Sequence, residues 1–302
     1  MKLKSMRKIP GFMAGLMLSC SMLTTSALAE AEEYVYKENF TGSGLLYDEF
    51  LAADGQAIFK WWGLGTTVGG EAENYEYMNT DIDTTIGKTD QKKSLRFLFK
   101  GVEDGKDSSA EQRFRILKSN VSVISVQFDL YIPSNYYHRT QSSTANNKFF
   151  VLWSGNYGTR ASLNSVAFEY WPATVKGGAV GDSVLSYHLG PGDQDWGHKI
   201  PTATPIFGLA DRGKWVNYRI EIKLSEKDKN NGFIKVYKNS AEHFIIENLA
   251  NYSSTGNYLD QGYFLGWANS GYSQDTAFYM DNLKITLDEI ASRPNPPSVE
   301  LQ

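Results

Sequence analysis

A strict alternation of apolar and polar residues runs through several segments of this chain. In residues 216–224 every second residue is apolar, and the residues between them are polar or charged. Residues 121–132 repeat the pattern, and shorter runs lie near residue 97 and at 277–287. A period of two residues buries one face of a β-strand and leaves the other in water. The alternation therefore predicts strands of antiparallel sheets rather than helices.

Turn signals separate these runs, and the sequence contains no long amphipathic helix and no internal repeat. The polar segment 228–232 ends in glycine, joins two predicted strands and is typical of a hairpin loop. Many short strands without intervening helices predict an all-β fold, an antiparallel β-sandwich whose curved sheets have a concave and a convex face. We expect one such domain over residues 30–290, followed by a disordered, proline-rich tail at 291–302.

The first 29 residues have the composition of a secretory signal peptide. A basic start, an apolar stretch too short for a bilayer and small residues at 27–29 predict cleavage after Ala29. The single cysteine, Cys20, lies within this segment, and its lipidation is the alternative processing route. Cleavage leaves a mature chain without thiols, so we expect neither disulfides nor thiolate chemistry. The sequence thus predicts a secreted or periplasmic protein.

The charge balance restricts the possible partners. The chain has 30 basic and 34 acidic residues and a net charge of −4, and the predicted signal contains several of the basic residues. This acidity argues against a nucleic-acid partner. No segment after the signal is long and apolar enough to predict a membrane span. An anionic polysaccharide remains compatible with the charge where cations gather locally, and we expect a monomer without an organic cofactor.

Three aromatic-rich segments contain candidates for stacking against sugars. Trp153, Trp171 and Trp267 each lie in an apolar run with the composition of a β-strand. Flat rings on rigid strands pack well on sugar faces and lose little side-chain entropy when they are ordered. Tryptophans in such runs are equally typical of a hydrophobic core. We therefore expect at least one of the three to be a core residue.

Two arginines alternate along a predicted strand at 111–116. Strand geometry places Arg113 and Arg115 on one face, about 7 Å apart, and apolar residues on the other. Two guanidinium groups at this spacing can each bind a carboxylate. Arg96, on a nearby predicted strand, could add a third charge. The alternative is a solvated face whose charge is balanced by Glu111.

Other titratable residues suggest two further kinds of site. His188, beside Tyr187, is a candidate general base, although a lone histidine on a strand is more often structural. The four histidines lack the spacing of a zinc site. Glu71 and Glu76 are similar to the acid-bearing strand of retaining β-glucanases, in which two carboxylates flank the scissile bond. Their glycine and asparagine flanks instead favour a loop.

Three short blocks of sequence form a family-like pattern. They are Glu-Gln-Arg at 111–113, Tyr-Phe at 263–264 followed by Gly-Tyr-Ser-Gln at 271–274, and the predicted strand 278–283. In these blocks the chain resembles the concanavalin A-like jelly-roll group, particularly its secreted polysaccharide lyases of the alginate, glucuronan and heparin lyase types. The resemblance implies a jelly-roll fold for most of the chain.

The resemblance also implies roles for individual residues. In those lyases an arginine neutralises the uronate carboxylate, a tyrosine or histidine removes the C5 proton, and a tyrosine protonates the leaving oxygen. The matching positions are Arg113 as the neutralising residue, Tyr272 as the proton-transfer residue and Gln274 as a substrate-binding residue. A glutamine–histidine motif of the lyases is replaced here by the aromatic segment 150–153. This departure favours binding without catalysis, or a different base such as His188.

A structural metal ion is a further implication of the resemblance. Many sandwiches of this group hold calcium between their first and last strands, and Glu38 and Asp281 are the candidate ligands here. Backbone oxygens would complete the oxygen-rich shell that calcium needs. Both residues could equally be polar side chains at strand edges.

Taken together, these patterns predict a secreted jelly-roll protein that binds a polysaccharide on its concave face. We expect a polysaccharide lyase that cleaves a uronate-containing glycan by β-elimination. Two alternatives remain open from the sequence. One is a non-catalytic, lectin-like module, and the other is a glycoside hydrolase that uses Glu71 and Glu76.

Overall fold

Two antiparallel β-sheets make up the structure, which is a computed structural model. It describes residues 33–38, 40, 49–51, 57–62, 79–88, 92–140, 145–155, 164–190, 199–254 and 256–288. Within these residues, sheet A contains eight strands: β1 Glu33–Glu38, β4 Thr80–Asp83, β5 Ser94–Phe99, β7 Val123–Ile132, β11 Lys214–Lys223, β12 Gly232–Lys238, β13 Ala241–Leu249 and β15 Thr276–Asp288. Sheet B contains seven: β2 Glu49–Leu51, β3 Ala57–Trp62, β6 Ser108–Ile116, β8 Asn147–Trp153, β9 Ser165–Pro172, β10 Ser183–Gly190 and β14 Gln261–Ala268.

The strand order interleaves distant parts of the chain. Sheet A runs β13-β12-β11-β7-β15-β5-β4, and β1 pairs with the second half of β15. Sheet B runs β10-β9-β8-β14-β6-β3-β2. Two short 3-10 turns, Ala173–Lys176 and Leu209–Asp211, are the helical segments of the described residues, and neither could cross a membrane. The all-β antiparallel sandwich predicted from the sequence is confirmed.

Alternating residues from both sheets build the core between them. On β7 the apolar positions from Ile124 to Ile132 are at most 1% exposed, as their period of two predicts. The Phe128 ring of sheet A meets the Phe264 ring of sheet B edge-on, with centroids 5.5 Å apart. Burying one phenylalanine stabilises the fold by about 1.5–3 kcal/mol. Because every strand in the centre of the sheets contributes such residues, the core fixes the register of both sheets.

Sheet B also has a second, outer face that points away from sheet A. Phe114, Phe150 and Phe168 on its inner face belong to the main core. On the outer face a small apolar cluster forms separately from Val151, Trp153, Ala167 and Tyr263. Because side chains alternate along strands, the residues two positions away from this cluster share its face. Of the charged candidates, Arg113, Arg115 and His188 lie on this outer face of sheet B.

The ends of the chain lie outside the described residues. The predicted signal segment, with Cys20 and Ala29, and the predicted tail at 291–302 are not described by the structure. The described residues all belong to one compact unit, Ala31–Gln302.

Candidate active site

Charged and aromatic side chains from several strands gather on the outer face of sheet B. Arg113 and Arg115 alternate with buried apolar residues of β6, so both lie on this face, as their spacing predicts. Tyr263 on β14 is directly opposite Arg113. The register continues across β8 and β9 to His188 on β10. Arg113 and Tyr263 are therefore neighbours, whereas His188 lies three strands from Tyr263, about 14 Å along the sheet.

Glu169 on β9 connects the distant histidine to the tyrosine side of this face. It is fully buried, at 0% exposure. Its Oε1 accepts a hydrogen bond from Lys148 Nζ on β8 and lies 3.7 Å from His188 Nε2. Its Oε2 accepts a hydrogen bond from Asn146 Nδ2 at 2.7 Å. One carboxylate thus positions a lysine, a histidine and an amide together.

The electrostatics of Glu169 follow from these contacts. Burial by itself would raise the pKa of a carboxyl group, because it disfavours the charged form. The contact with His188 and the ion pair with Lys148 outweigh burial and lower the pKa of Glu169 to about 2. The group is therefore ionised at neutral pH. A buried carboxylate of this kind is stable only because the Lys148 ammonium and hydrogen-bond donors such as Asn146 surround it.

A bulge in β14 brings Lys148 close to Tyr263. The ladder between β14 and β8 is irregular between Phe264 and Ala268, and Gly266 lies there with a φ of 126°. A Cβ added to Gly266 would lie 3.1 Å from Tyr263 Cε2, and 3.2 Å from both Glu111 Oε2 and Lys148 Cβ. Glycine is needed because this φ is unfavourable for other residues and because the space is filled. Three functional side chains therefore surround one glycine.

The arginines of β6 have acidic neighbours at each end of the site. Arg113 Nε donates to Glu111 Oε1 on the same strand. Further along the strand, Arg115 acts electrostatically on Asp260, whose pKa is raised by burial and whose carboxylate accepts a hydrogen bond from the Gly155 amide. The Arg113 side chain keeps 19% of its surface exposed. Arg113 is thus both anchored and able to meet a ligand.

The three candidate tryptophans have different environments. Trp153 is 1% exposed, packs 5.8 Å from the Tyr263 ring and donates to the Gly155 carbonyl at 3.1 Å. It is a buried support for Tyr263, in agreement with the expectation that one of the three is core. Trp171 is half-buried beside Glu169, and its indole N–H donates to Ser186 Oγ at 3.0 Å. Trp267, also half-buried, follows the bulge in β14.

Tyr272 does not lie on this face, which corrects its predicted place in the site. It is 2% exposed and belongs to the core between the sheets. Its hydroxyl shares a 2.7 Å hydrogen bond with Tyr170, and its ring meets Phe99 edge-on. Burial raises the pKa of Tyr272 well above its ordinary value. Tyr272 is a structural group, because it lies between the two sheets and its hydroxyl is bound to Tyr170, whereas Tyr263 lies on the outer face of sheet B.

Arg96 and Gln274 are also separated from the outer face of sheet B. Arg96 is on β5 of sheet A, alternates with buried residues and pairs in a bidentate manner with Asp81 on β4. The predicted third cation of the arginine cluster therefore belongs to the opposite sheet. Gln274 is exposed in the loop that leads from Tyr272 into β15. Neither residue shares the face of Arg113.

The proposed calcium ligands do not form an oxygen-rich shell. Glu38 accepts hydrogen bonds from the Phe40 amide at 2.6 Å and the Tyr36 hydroxyl at 3.1 Å. Asp281 accepts bonds from the backbone amides of Lys88 and Asn282. Donors therefore occupy the carboxylates that calcium would use, and no group of three metal-ligating side chains occurs in the described part of the chain. The hydrogen bonds of Glu38 and Asp281 therefore do not fit a calcium ion held by these two carboxylates. Calcium binding by the protein stays a prediction from the resemblance.

Glu71 and Glu76, the acids of the alternative hydrolase, lie outside the described residues.

The sequence patterns assign no role to Lys148 or Glu169, which the structure brings together on the outer face of sheet B. A glutamate in the otherwise apolar segment 165–172 was the available signal, because a charge within a buried strand needs a partner.

Comparisons with known proteins agree on the fold. No protein-family model matches the chain, and a search of curated proteins finds no relative. Among solved structures, the alginate lyase Aly36B superposes with a TM-score of 0.50 at 13% identity, over 85% of this chain and 97% of that one. A double mutant of Aly36B in complex with an alginate trisaccharide gives 0.50 at 12%, over 83% and 97%. The fold is the concanavalin A-like jelly roll.

A third similar structure is the alginate lyase of family PL-14 from Aplysia kurodai. It matches at 16% identity with a TM-score of 0.47, over 68% of this chain and 86% of that one. At such identities the similarity concerns the fold, and the chemistry has to be argued from the residues of this chain.

Proposed function

We propose that this protein is a polysaccharide lyase that cleaves a uronate-containing glycan by β-elimination. The observation that supports this most is the grouping of Arg113, Lys148 and Tyr263 on one sheet face. Arg113 is opposite Tyr263, and Lys148 shares the Gly266 bulge with it. Elimination next to a carboxylate needs cations for the charge and a group that moves a proton. This face offers both.

The cations would act on the uronate carboxylate. Arg113 and Lys148 keep 19% and 14% of their side chains exposed, so they are accessible to a ligand on this face. Binding the carboxylate withdraws charge from it, which acidifies the C5 proton and stabilises the enolate that forms when this proton leaves. Arg115 and Lys60, which are cross-strand neighbours further along the face, can bind the carboxylate of an adjoining sugar.

Tyr263 is the proton-transfer residue in this proposal. As a phenolate it removes the C5 proton, a double bond forms between C4 and C5, and the C4–O bond breaks. The same proton then moves from Tyr263 to the leaving oxygen, which balances the reaction. Burial opposes ionisation of a tyrosine, so this step requires the cationic side chains of Arg113 and Lys148 to stabilise the phenolate. Tyr263 is 2% exposed, so substrate binding has to uncover its hydroxyl, and catalytic geometry often completes only in the complex.

His188 and Glu169 have a supporting role here. The register separates His188 from Tyr263 by three strands, so it is too distant to share one glycosidic bond with Tyr263. His188 instead contacts Glu169, which holds Lys148. We therefore assign His188 and Glu169 as positioning residues for the Lys148 ammonium. Trp171, beside them, can stack against a sugar at the same end of the site.

A direct assay tests the proposal. The full protein is incubated with alginate, glucuronan and heparin-type glycans, and the ultraviolet absorbance of the unsaturated uronate product is followed. We expect a rise on one of these polymers. Arg113→Gln should abolish most of it, whereas Arg96→Gln, on the opposite sheet, should leave the rate unchanged. No rise on any uronate polymer would overturn the proposal.

Other outcomes identify the alternatives. Glycan binding without any product would indicate a lectin-like module. New reducing ends without an ultraviolet signal would indicate hydrolysis, and Glu71→Gln and Glu76→Gln would then be the variants to test.

A further inference from the structure

Two lysines face each other on the outer face of sheet A, the sheet opposite the one that contains Arg113, Lys148 and Tyr263. Lys37 on β1 is directly opposite Lys284 on β15. Their strand neighbours Tyr36 and Ile285 are buried in the core, so both ammonium groups point outward. Like charges directly opposite each other destabilise a sheet. Within the described residues neither lysine forms an ion pair that would relieve this repulsion.

The two lysines line a cleft rather than a flat surface. The cleft has a volume of about 410 Å³, within the size range of small-ligand sites. Gln127 on β7, directly opposite Lys284, and the exposed Asn282 add amide groups to the lining. Glu38 is the one carboxylate that lines the cleft. Both Glu38 oxygens already accept hydrogen bonds, one from an amide and one from a hydroxyl. The two lysine ammonium groups therefore outnumber the one carboxylate of the cleft, and the lining has an excess of positive charge.

A β-bulge shapes this cleft. The pairing of β15 with β7 is irregular between Asp281 and Lys284, and Asn282 has a positive φ of 51°. Asn282 Nδ2 donates to Asp129 Oδ2 at 2.7 Å, which holds the bulged residue in place. Bulges redirect side chains and are over-represented beside binding sites. The irregularity therefore positions Lys284 and Asn282 at the cleft in a fixed way.

The row of polar groups continues across the sheet to Arg219, whose own charge is paired with Glu221 at 3.2 Å. Arg219 on β11 is directly opposite Gln127, so Arg219, Gln127, Lys284 and Lys37 form one row across four strands. The row is about 14 Å long, given the spacing of strands. The Arg219 guanidinium also lies 4.0 Å from the centre of the Tyr237 ring, which extends the row to β12. An extended anionic chain could contact several of these groups at once.

We propose that this row is a second, non-catalytic binding site for the carboxylate groups of an anionic polysaccharide, which holds the polymer on the sheet opposite the active site. The identity of the polymer rests on the proposed function, whereas the anion preference rests on the two lysines. Lysine binds anions as a point charge without the fixed geometry of arginine. Such a site tolerates different positions along the polymer and suits attachment rather than precise orientation.

Removing the charges tests the proposal. Lys37→Gln/Lys284→Gln is compared with a control that removes the same charge from β12 and the hairpin loop before it, Lys235→Gln/Lys229→Gln, using the full chain at low ionic strength. Affinity for a polyuronate should fall about fivefold to tenfold in the first variant, as expected for two exposed ion pairs. It should change by less than twofold in the control. An equal loss in both variants would overturn the proposal, because it would reflect net charge alone.

Kinetics and competitors separate this site from the active site. The KM for a long polymer should rise in the Lys37→Gln/Lys284→Gln variant, while kcat and the rate on a trisaccharide stay unchanged. Lost turnover of the trisaccharide would contradict a separate site. Two results would overturn the choice of ligand. One is equally tight binding of a single-stranded oligonucleotide of matched charge, and the other is displacement of the polymer by an equimolar amount of inorganic phosphate.

The two proposals can fail independently. If no polymer yields an unsaturated product but binding still depends on Lys37 and Lys284, the lyase proposal fails and the second site stands. If product forms and the double variant binds polymer like the unchanged protein, the second site is refuted and the lyase proposal stands.

Discussion

Lys148 and Glu169 are cross-strand neighbours on β8 and β9, and the ammonium of Lys148 donates a hydrogen bond to Glu169 Oε1. The two ends of this pair differ in exposure, because Glu169 is fully buried while the Lys148 side chain keeps 14% of its surface accessible. The anion is therefore shielded and the cation is accessible. Buried ionised groups with such specific partners are common at functional sites. In the proposed reaction, this accessible ammonium is one of the two groups that bind the uronate carboxylate.

Replacing Glu169 tests this role of the pair. Glu169→Gln leaves Lys148 and His188 without their shared anion, so we expect the free energy of unfolding to fall by about 3 kcal/mol and turnover to fall with it. Urea denaturation and initial rates measure the two effects. The control Glu221→Gln removes a partly exposed partner of Arg219, 3.2 Å away, and should cost less than about 1 kcal/mol. Equal losses in both variants would contradict the assignment.

The two tyrosines named by the family-like motif make opposite predictions. Tyr263→Phe should abolish most turnover with little change in stability, because it removes only the hydroxyl proposed to move the proton. Tyr272→Phe should keep its turnover and lose about 1 kcal/mol, because it breaks the buried 2.7 Å hydrogen bond with Tyr170. Rates and urea unfolding of both variants provide the measurement. Normal turnover of Tyr263→Phe would remove this residue from the mechanism.

The regular parts of the fold could be read directly from the sequence. The alternation at 121–132 and 216–224 predicted β7 and β11, and the hairpin at 228–232 connects β11 to β12 as expected. The faces of Arg113 and Arg115 followed from the same rule. These features were predictable because a period of two is a local property that the core reinforces at every second residue.

The site was less predictable because it depends on irregular backbone and on pairing between distant strands. The family-like motif predicts Tyr272 as the tyrosine of the site. The bulge at Gly266 ends the alternation of β14, and the tyrosine that lies on the face of the site is Tyr263. Arg96 was grouped with the arginines of β6 because sequence proximity does not reveal which sheet a strand joins. The pairing of Lys148 with Glu169 likewise depends on a register that one strand alone does not specify.

The glycine at the bulge should be sensitive to substitution. Gly266→Ala would place a Cβ within 3.2 Å of Tyr263, Glu111 and Lys148 at a φ of 126°. We expect a loss of about 1–3 kcal/mol from backbone strain and a larger loss of turnover from displaced side chains. The control Gly177→Ala also has a positive φ, 74°, but its Cβ would meet nothing within 4 Å. Unchanged turnover in Gly266→Ala would contradict the proposed crowding.

Acid should destabilise the fold in two stages, of which the histidines determine the first. Burial lowers the pKa of His138 to about 4 from 6.5, and that of His243 to about 4. Between pH 6.5 and 4 the unfolded chain binds protons that the folded chain does not, so stability decreases as the pH falls. The buried His138 alone corresponds to about 3 kcal/mol. Urea midpoints that stay constant from pH 7 to pH 5 would contradict this.

Glu169 determines the second stage. Its pKa of about 2 in the folded protein lies below the ordinary 4.5, so its contribution is fully present above pH 4.5 and disappears as the pH falls towards 2. This stage also corresponds to about 3 kcal/mol. In Glu169→Gln the loss between pH 7 and 5 should persist, because the histidines cause it, while the loss between pH 4.5 and 3 should shrink. Urea unfolding of both proteins at pH 7, 5, 4.5 and 3 distinguishes the two stages. If the free energy of unfolding of Glu169→Gln falls below pH 4.5 as steeply as that of the unchanged protein, other carboxylates are responsible for the second stage.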